Sequence, residues 1–173
     1  MNKKLYIGID PGKKGGIALI TNGKLNLLEP MPSTPEEVLN FFLDNKLTPK
    51  SCLIDIEYII EDVHSMPTDG VASAFTFGRH IGTWDMFFAV LKVKPIRVRP
   101  QVWQGHFDMK KTKEESRYQY KKRLVEKANK IARTEDKGKF NLDNADAYLI
   151  ARWMYESETT NSKRTTATAT PKA

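Results

Sequence analysis

Cysteine is nearly absent. Cys52 is the only one in 173 residues, so no disulfide can close within the chain, and a reducing compartment is expected. Histidine is almost as scarce, with His64, His80 and His106 scattered. One thiol and three separated imidazoles do not make a structural zinc site, which needs four clustered nitrogen or sulfur ligands. No run approaches the roughly 20 uncharged residues of a membrane-spanning helix. The opening stretch, MNKKLYIGID, has no signal-peptide apolar core, so no membrane partner and a cytoplasmic location are expected.

What the chain has in plenty is lysine and arginine, 28 against 21 acids, for a net charge of +7. The excess is local. Residues 1–91 carry 8 basic and 11 acidic side chains, residues 134–173 carry 6 of each, and residues 92–133 carry 14 basic and 4 acidic. Such a density favours a polyanion, nucleic acid above all, over a merely solvated helix face. Forty per cent of the residues are hydrophobic, enough for one core at this length.

Periodicity gives the order of elements. Leu5–Asp10 is a short apolar run ending in an acid and reads as a buried strand. After the glycine-rich turn PGKKGG, Gly16–Thr21 reads as a second strand. Asn22 and Gly23 mark a tight hairpin, and Lys24–Leu28 returns as a third. Thr34, Pro35, Glu36 and Glu37 form a helix start, with the helix running to Asp44. A fourth strand lies in Ser51–Val63, centred on Tyr58–Glu61. Gly70–Leu91 is a long helix with Phe75, Ile81, Trp84, Phe88 and Leu91 at helical spacing. Pro95–Val98 is a fifth strand, Pro100–His106 a helical turn, and Thr112–Arg133 and Asn141–Tyr155 two further helices. The fold class is α/β, a five-stranded mixed sheet with helices on both faces. It occupies residues 1–157, with a disordered tail over 158–173.

Four acids stand out by position. Asp10 ends the first strand and Glu61 the fourth. Asp143 and Asp146, three apart on the last helix, lie about 60° apart on one face. Each alone is an ordinary solvated acid. Together, if the first and fourth strands are neighbours, they converge at one sheet edge. Four crowded carboxylates repel, and hard divalent cations relieve that cost. Oxygen-only ligands select Mg²⁺ or Mn²⁺.

IGIDPGKKGGIALI, IIEDVH and LDNADAYLIAR, in that order, resemble the three acidic motifs of RuvC-type Holliday junction resolvases. MPTDG and VRPQVWQGHF resemble the phage-type and plant-organelle branch of that family. The resemblance spans roughly residues 4–155. It implies an RNase H-like fold, and two Mg²⁺ ions, replaceable by Mn²⁺, held by Asp10, Glu61, Asp143 and Asp146 with Asp10 between them. One ion would activate water. The other would stabilise the departing 3′ oxygen, leaving 5′-phosphate and 3′-hydroxyl ends. It further implies a homodimer that cuts four-way DNA by paired symmetric nicks, with no small-molecule cofactor, in a bacterial or phage-infected cell.

The chain departs from the family at two points. Gln104 stands where many bacterial members carry a lysine that contacts the scissile phosphate, and Lys110, Lys111 or Lys113 could take over. His64, followed by Met66, stands where bacterial members place an aromatic wedge, and Phe75 is the other candidate. Lys13 and Lys14 in the glycine turn, Arg99, and Lys121 and Lys122 on the basic helix complete the expected DNA contacts. Trp103 either stacks on a base or packs the small turn. The stripe Trp84, Phe87, Phe88 and Leu91 suits the core and also a dimer interface. The same acids would serve an RNase H-fold nuclease for flap, branched or RNA–DNA hybrid substrates, and a non-catalytic nucleic-acid-binding module remains open.

Overall fold

The computed structural model describes residues 4–49, 55–64 and 70–168, with side chains through 160. Cys52, Met66 and the segment before Asp55 lie outside the described residues. Five strands, β1 (Lys4–Asp10), β2 (Gly16–Thr21), β3 (Lys24–Pro30), β4 (Asp55–Glu61) and β5 (Ile96–Val98), form one sheet in the order β3-β2-β1-β4-β5. The first three make an antiparallel meander, while β4 and β5 run parallel to β1. The β2–β3 turn holds Asn22 at φ 51° and Gly23 at φ 73°, left-handed at both positions as a tight hairpin requires.

Side-chain alternation along these strands sorts the core into two layers. Leu5, Ile7 and Ile9 of β1, with Tyr58 and Ile60 of β4, face helices α1 (Pro35–Asp44) and α2 (Val71–Leu91). Tyr6 of β1 and Ile59 of β4 face the other way. There they pack with α3 (Pro100–His106), α4 (Arg117–Ile131) and α5 (Ala145–Thr168). Asp10 shares the parity of Tyr6, and Glu61 that of Ile59. Both acids therefore belong to the layer of α3, α4 and α5, a consequence of period two alone.

Two local devices set the helices in place. Thr34 Oγ1 accepts from Glu37 N at 3.1 Å and caps α1, while Ser116 and Gln119 form a reciprocal capping box on α4. Each cap is worth about 1 kcal/mol. Gly8 lets α5 lie against the sheet: a Cβ there would stand 2.2 Å from the Ala147 carbonyl oxygen. The residues Ala145, Ala147, Leu149, Ile150 and Ala151 of α5 are fully buried by this close approach.

The structure corrects several boundaries and faces. Helix α5 begins at Ala145, so Asp143 sits in the preceding turn and not on the helix with Asp146. Helix α4 begins at Arg117 rather than Thr112, because Ser116 caps it. The boundary expected at 157 falls inside α5, whose backbone continues to Thr168. Trp84, Phe87 and Phe88 are core residues packed on Phe42 and Tyr58, so that stripe is not available to a second chain. Phe75 lies on the opposite side of α2 and is exposed. Among the described residues, no helix is long and apolar enough to cross a membrane.

Candidate functional site

The acids meet where β1 and β4 end side by side. The parallel pair Ile9↔Ile60 leaves Asp10 and Glu61 next in line on neighbouring strands. Gly12 N donates to Asp10 Oδ1 at 3.2 Å, and the turn folds back through Gly15 N to the Gly12 carbonyl at 2.8 Å. Gly15 is a steric requirement, since a Cβ there would meet the Asp10 carbonyl oxygen at 2.0 Å. Glu61 is held by Trp103, whose Nε1 donates to Oε1 at 2.9 Å. Trp103 is wholly buried, so of the two roles open to it the structure shows packing, with a hydrogen bond into the acid cluster.

Asp146 enters from the first turn of α5, over the gap that Gly8 leaves. Its Oδ2 accepts from Lys121 Nζ at 2.8 Å, and its buried Oδ1 has no hydrogen-bond partner among the described residues. The same Lys121 Nζ stands 3.9 Å from Asp10 Oδ2. Asp143 is exposed at the rim. Its turn is fixed by Asn141, whose Oδ1 accepts from the backbone N–H of both Asp143 and Asn144. All four acids line one cleft of 1130 Å³.

The electrostatics of the cleft are those of anions buried together. Burial, and then the neighbouring Asp146 carboxylate, push Asp10 up to about 6. Burial, then Asp10 and Asp146, push Glu61 up to about 8, against the opposing hydrogen bond from Trp103. Burial also raises Asp146, although Lys121 opposes it. Lys121 loses hydration by burial, yet the carboxylates of Asp146, Asp10 and Glu61 hold its pKa above the ordinary value.

Among the described residues, no three His, Cys, Asp or Glu side chains are gathered tightly enough to hold a metal without rearrangement. An ammonium group occupies the space between Asp146 and Asp10 instead. The site therefore already holds a cation, its donors are all carboxylate oxygens, and one buried oxygen is unused. Asp10, Glu61, Asp146 and the rim carboxylate of Asp143 could hold a hard divalent cation.

Of the expected nucleic-acid contacts, Lys13, Lys14, His64 and Lys121 line the cleft. His64 is largely exposed and 3.9 Å from Asp62 Oδ1. Lys122 lies in a separate shallow groove on the outer side of α4, beside Glu115, Arg123 and Glu126. Arg99 precedes α3, and Lys110, Lys111 and Lys113 lie in the α3–α4 connection, all exposed and outside the cleft lining. Gln104 does line it. Sequence reasoning passed over Arg117 and Tyr118, which also line the cleft. Arg117 stands one helical turn before Lys121, and that i,i+4 spacing was the available signal.

Compared with known proteins, the chain matches no family model and no curated sequence. Its likeness is to solved structures. One is Thermus thermophilus RuvC in complex with a Holliday junction substrate, with a TM-score of 0.58 at 14% identity, covering 90% of this chain and 96% of that one. Another is the Thermus thermophilus RuvC structure, with a TM-score of 0.57 at 14% identity, covering 91% and 96%. The acid-lined cleft is thus carried on a RuvC-like, RNase H-like α/β fold.

Proposed function

We propose that the protein is a metal-dependent, structure-selective DNA endonuclease that resolves four-way junctions by paired symmetric nicks. The observation that carries this reading is the cleft itself: Asp10, Glu61 and Asp146 buried together with Asp143 at the mouth, ringed by Lys13, Lys14, Arg117 and Lys121. Crowded buried carboxylates are costly without a cation to neutralise them, and basic residues beside them suit a phosphodiester. The likeness to a fold solved with a Holliday junction supports the choice of substrate. Mg²⁺, or Mn²⁺ in its place, held by the four acids would supply Lewis-acid activation of water and neutralise charge on the leaving oxygen. The chain's own part is to keep the carboxylates ionised and aimed. Trp103 holds Glu61, the Gly12 amide holds Asp10, and Lys121 holds Asp146 until a divalent cation takes its place. The lysines and Arg117 seat the strand.

Two symmetric cuts need two sites, hence a homodimer, and α2 offers a surface for it. Val71, Phe75, Gly78, Gly82, Met86 and Ala89 follow one another at three- or four-residue spacing on its solvent side, opposite Trp84. Nothing described lies within 4 Å of a Cβ built on Gly78 or Gly82, so a second helix could approach closely there. Sedimentation of Gly82→Arg should show monomer where the unmodified chain shows dimer.

A labelled four-way junction with Mg²⁺ tests the reading. It should yield symmetric nicks that ligase reseals, while linear duplex is cut far more slowly. Asp10→Asn should bind the junction and not cut it. Preference for a flap or an RNA–DNA hybrid would move the protein to another substrate of the same chemistry. Cleavage that survives Asp10→Asn would remove the acids from the reaction.

A further inference from the structure

Beside the acid cleft lies a second pocket, of 310 Å³, that the cleavage chemistry leaves unused. It is bounded by the β3–α1 connection on one side and α2 on the other. Lys13, Arg79 and His80 bring basic side chains to it from two segments far apart in sequence. Ser33 and Thr76 add hydroxyls, the Thr83 hydroxyl donates to the Arg79 carbonyl at 3.1 Å, and no carboxylate lines it. Its inner wall is the buried Trp84. Two backbone donors at the start of α1 are already used: Ser33 N donates to Glu37 Oε2 at 2.7 Å, and Glu37 N to Thr34 Oγ1. The donors are the side chains. Among the described residues, neither Arg79 nor Lys13 has a carboxylate within ion-pairing distance. This contrasts with Arg97 and Arg123, which are paired to Asp85 and Glu115. The pocket is continuous with the acid cleft, since Lys13, Thr76 and His80 border both.

We propose that this pocket seats a backbone phosphate of the bound strand other than the one that is cut, with Arg79 as its principal ligand. Two or three cationic groups, hydroxyl donors and no carboxylate in the lining form a phosphodiester site. A guanidinium also offers paired N–H donors to phosphate oxygens. Its place beside the acids lets it fix the strand's register, so that a neighbouring phosphodiester reaches the carboxylates. The inference rests on the nucleic-acid reading above and deepens it.

The test uses the full chain and a labelled four-way junction in Ca²⁺, measuring affinity against salt. Arg79→Gln should weaken binding about 3- to 10-fold, and should flatten the slope of log affinity against log salt by about 0.9. Arg79→Lys should restore the slope. Lys24→Gln, at the opposite end of the sheet, should match the unmodified chain. Neutral methylphosphonate links placed singly near the cut should include one position that weakens the unmodified chain and leaves Arg79→Gln unaffected. An unchanged slope in Arg79→Gln, or a methylphosphonate scan with no such position, would overturn the assignment while leaving the nuclease reading intact. Inorganic phosphate is the second probe. Thermal stabilisation by phosphate that depends on Arg79, with the junction slope unchanged, would make the pocket a free-anion site and overturn the backbone role. Failure of the unmodified chain to bind any DNA would bring down the parent reading and this one together.

Discussion

Two aspartates in this molecule are buried to nearly the same degree and each is paired with a lysine, yet they live in opposite circumstances. Asp136, 1% exposed, has both oxygens engaged: Oδ2 accepts from Leu25 N at 3.2 Å and Oδ1 from Lys139 Nζ at 2.9 Å. It ties the turn before α5 to the start of β3. Asp146, 6% exposed, has one oxygen on Lys121 and the other without a partner, and it shares its surroundings with Asp10 and Glu61. A satisfied buried acid holds a fold together. An under-satisfied one among other acids is strain the fold retains, and such groups cluster at sites of chemistry. Depth of burial does not separate the two cases; unused acceptor capacity does.

One substitution made at both positions gives the sharpest contrast. Asp146→Asn should lower junction cleavage by about 10³-fold or more, as expected for losing a group that acts in electrostatic stabilisation. Its melting temperature should change little, because the like charge that leaves the cluster offsets the lost pair with Lys121. Asp136→Asn should do the reverse, costing about 1–3 kcal/mol by turning an amide donor toward Lys139. The cleavage rate per folded molecule should persist. If both variants lose only stability, or both only cleavage, the distinction fails.

Trp103→Phe comes next in size. It keeps the aromatic bulk and removes the donor to Glu61, so cleavage should fall about 10- to 100-fold, the range for a partner that orients a ligand. That hydrogen bond favours the charged carboxylate, so its loss should also move the rise of activity with pH toward higher pH. A rate loss with an unmoved profile would make Trp103 a packing residue only.

The smallest effect is in stability against pH. Asp10 and Glu61 are raised in the fold to about 6 and about 8, above their unfolded values of 3.8 and 4.5. The folded chain therefore binds more protons than the unfolded one in that window, and stability falls as pH rises. Without divalent metal, the melting temperature should drop by a few degrees from pH 5 to pH 9. Mg²⁺ should reverse the drop, most strongly at the alkaline end. A flat curve, or the same slope in Asp10→Asn, would remove the cleft as its source.

The parts of this site visible in the sequence are those set by short-range rules. The parity of β1 and β4, the Asn22-Gly23 hairpin and the Thr34 cap all follow from periods and propensities, and they place Asp10 and Glu61 on one face. The DNAD stretch marks Asp146, but the turn that Asn141 and Asn144 build before α5 is a hydrogen-bond arrangement that spacing does not disclose. Spacing alone therefore puts Asp143 on the helix, one turn from Asp146. Trp103 and Arg117 act only because α3 and α4 dock over the ends of β1 and β4, a long-range event with no local signature. On α2 the apolar residues run nearly all round, so periodicity could not tell the inward Trp84 and Phe88 from the outward Phe75. That Trp84, Phe87 and Phe88 are buried while Phe75 is exposed follows only from how α2 docks on the sheet.

If the cleft is a chemical site, its carboxylates take a cation while Asp136 does not. Crystals soaked in Mn²⁺ near pH 8 and measured for anomalous scattering decide it. A peak is expected against Asp10 and Asp146, with Lys121 Nζ displaced from between them and Lys139 still on Asp136. No peak in the cleft at saturating Mn²⁺, with Lys121 still paired to Asp146, would contradict it.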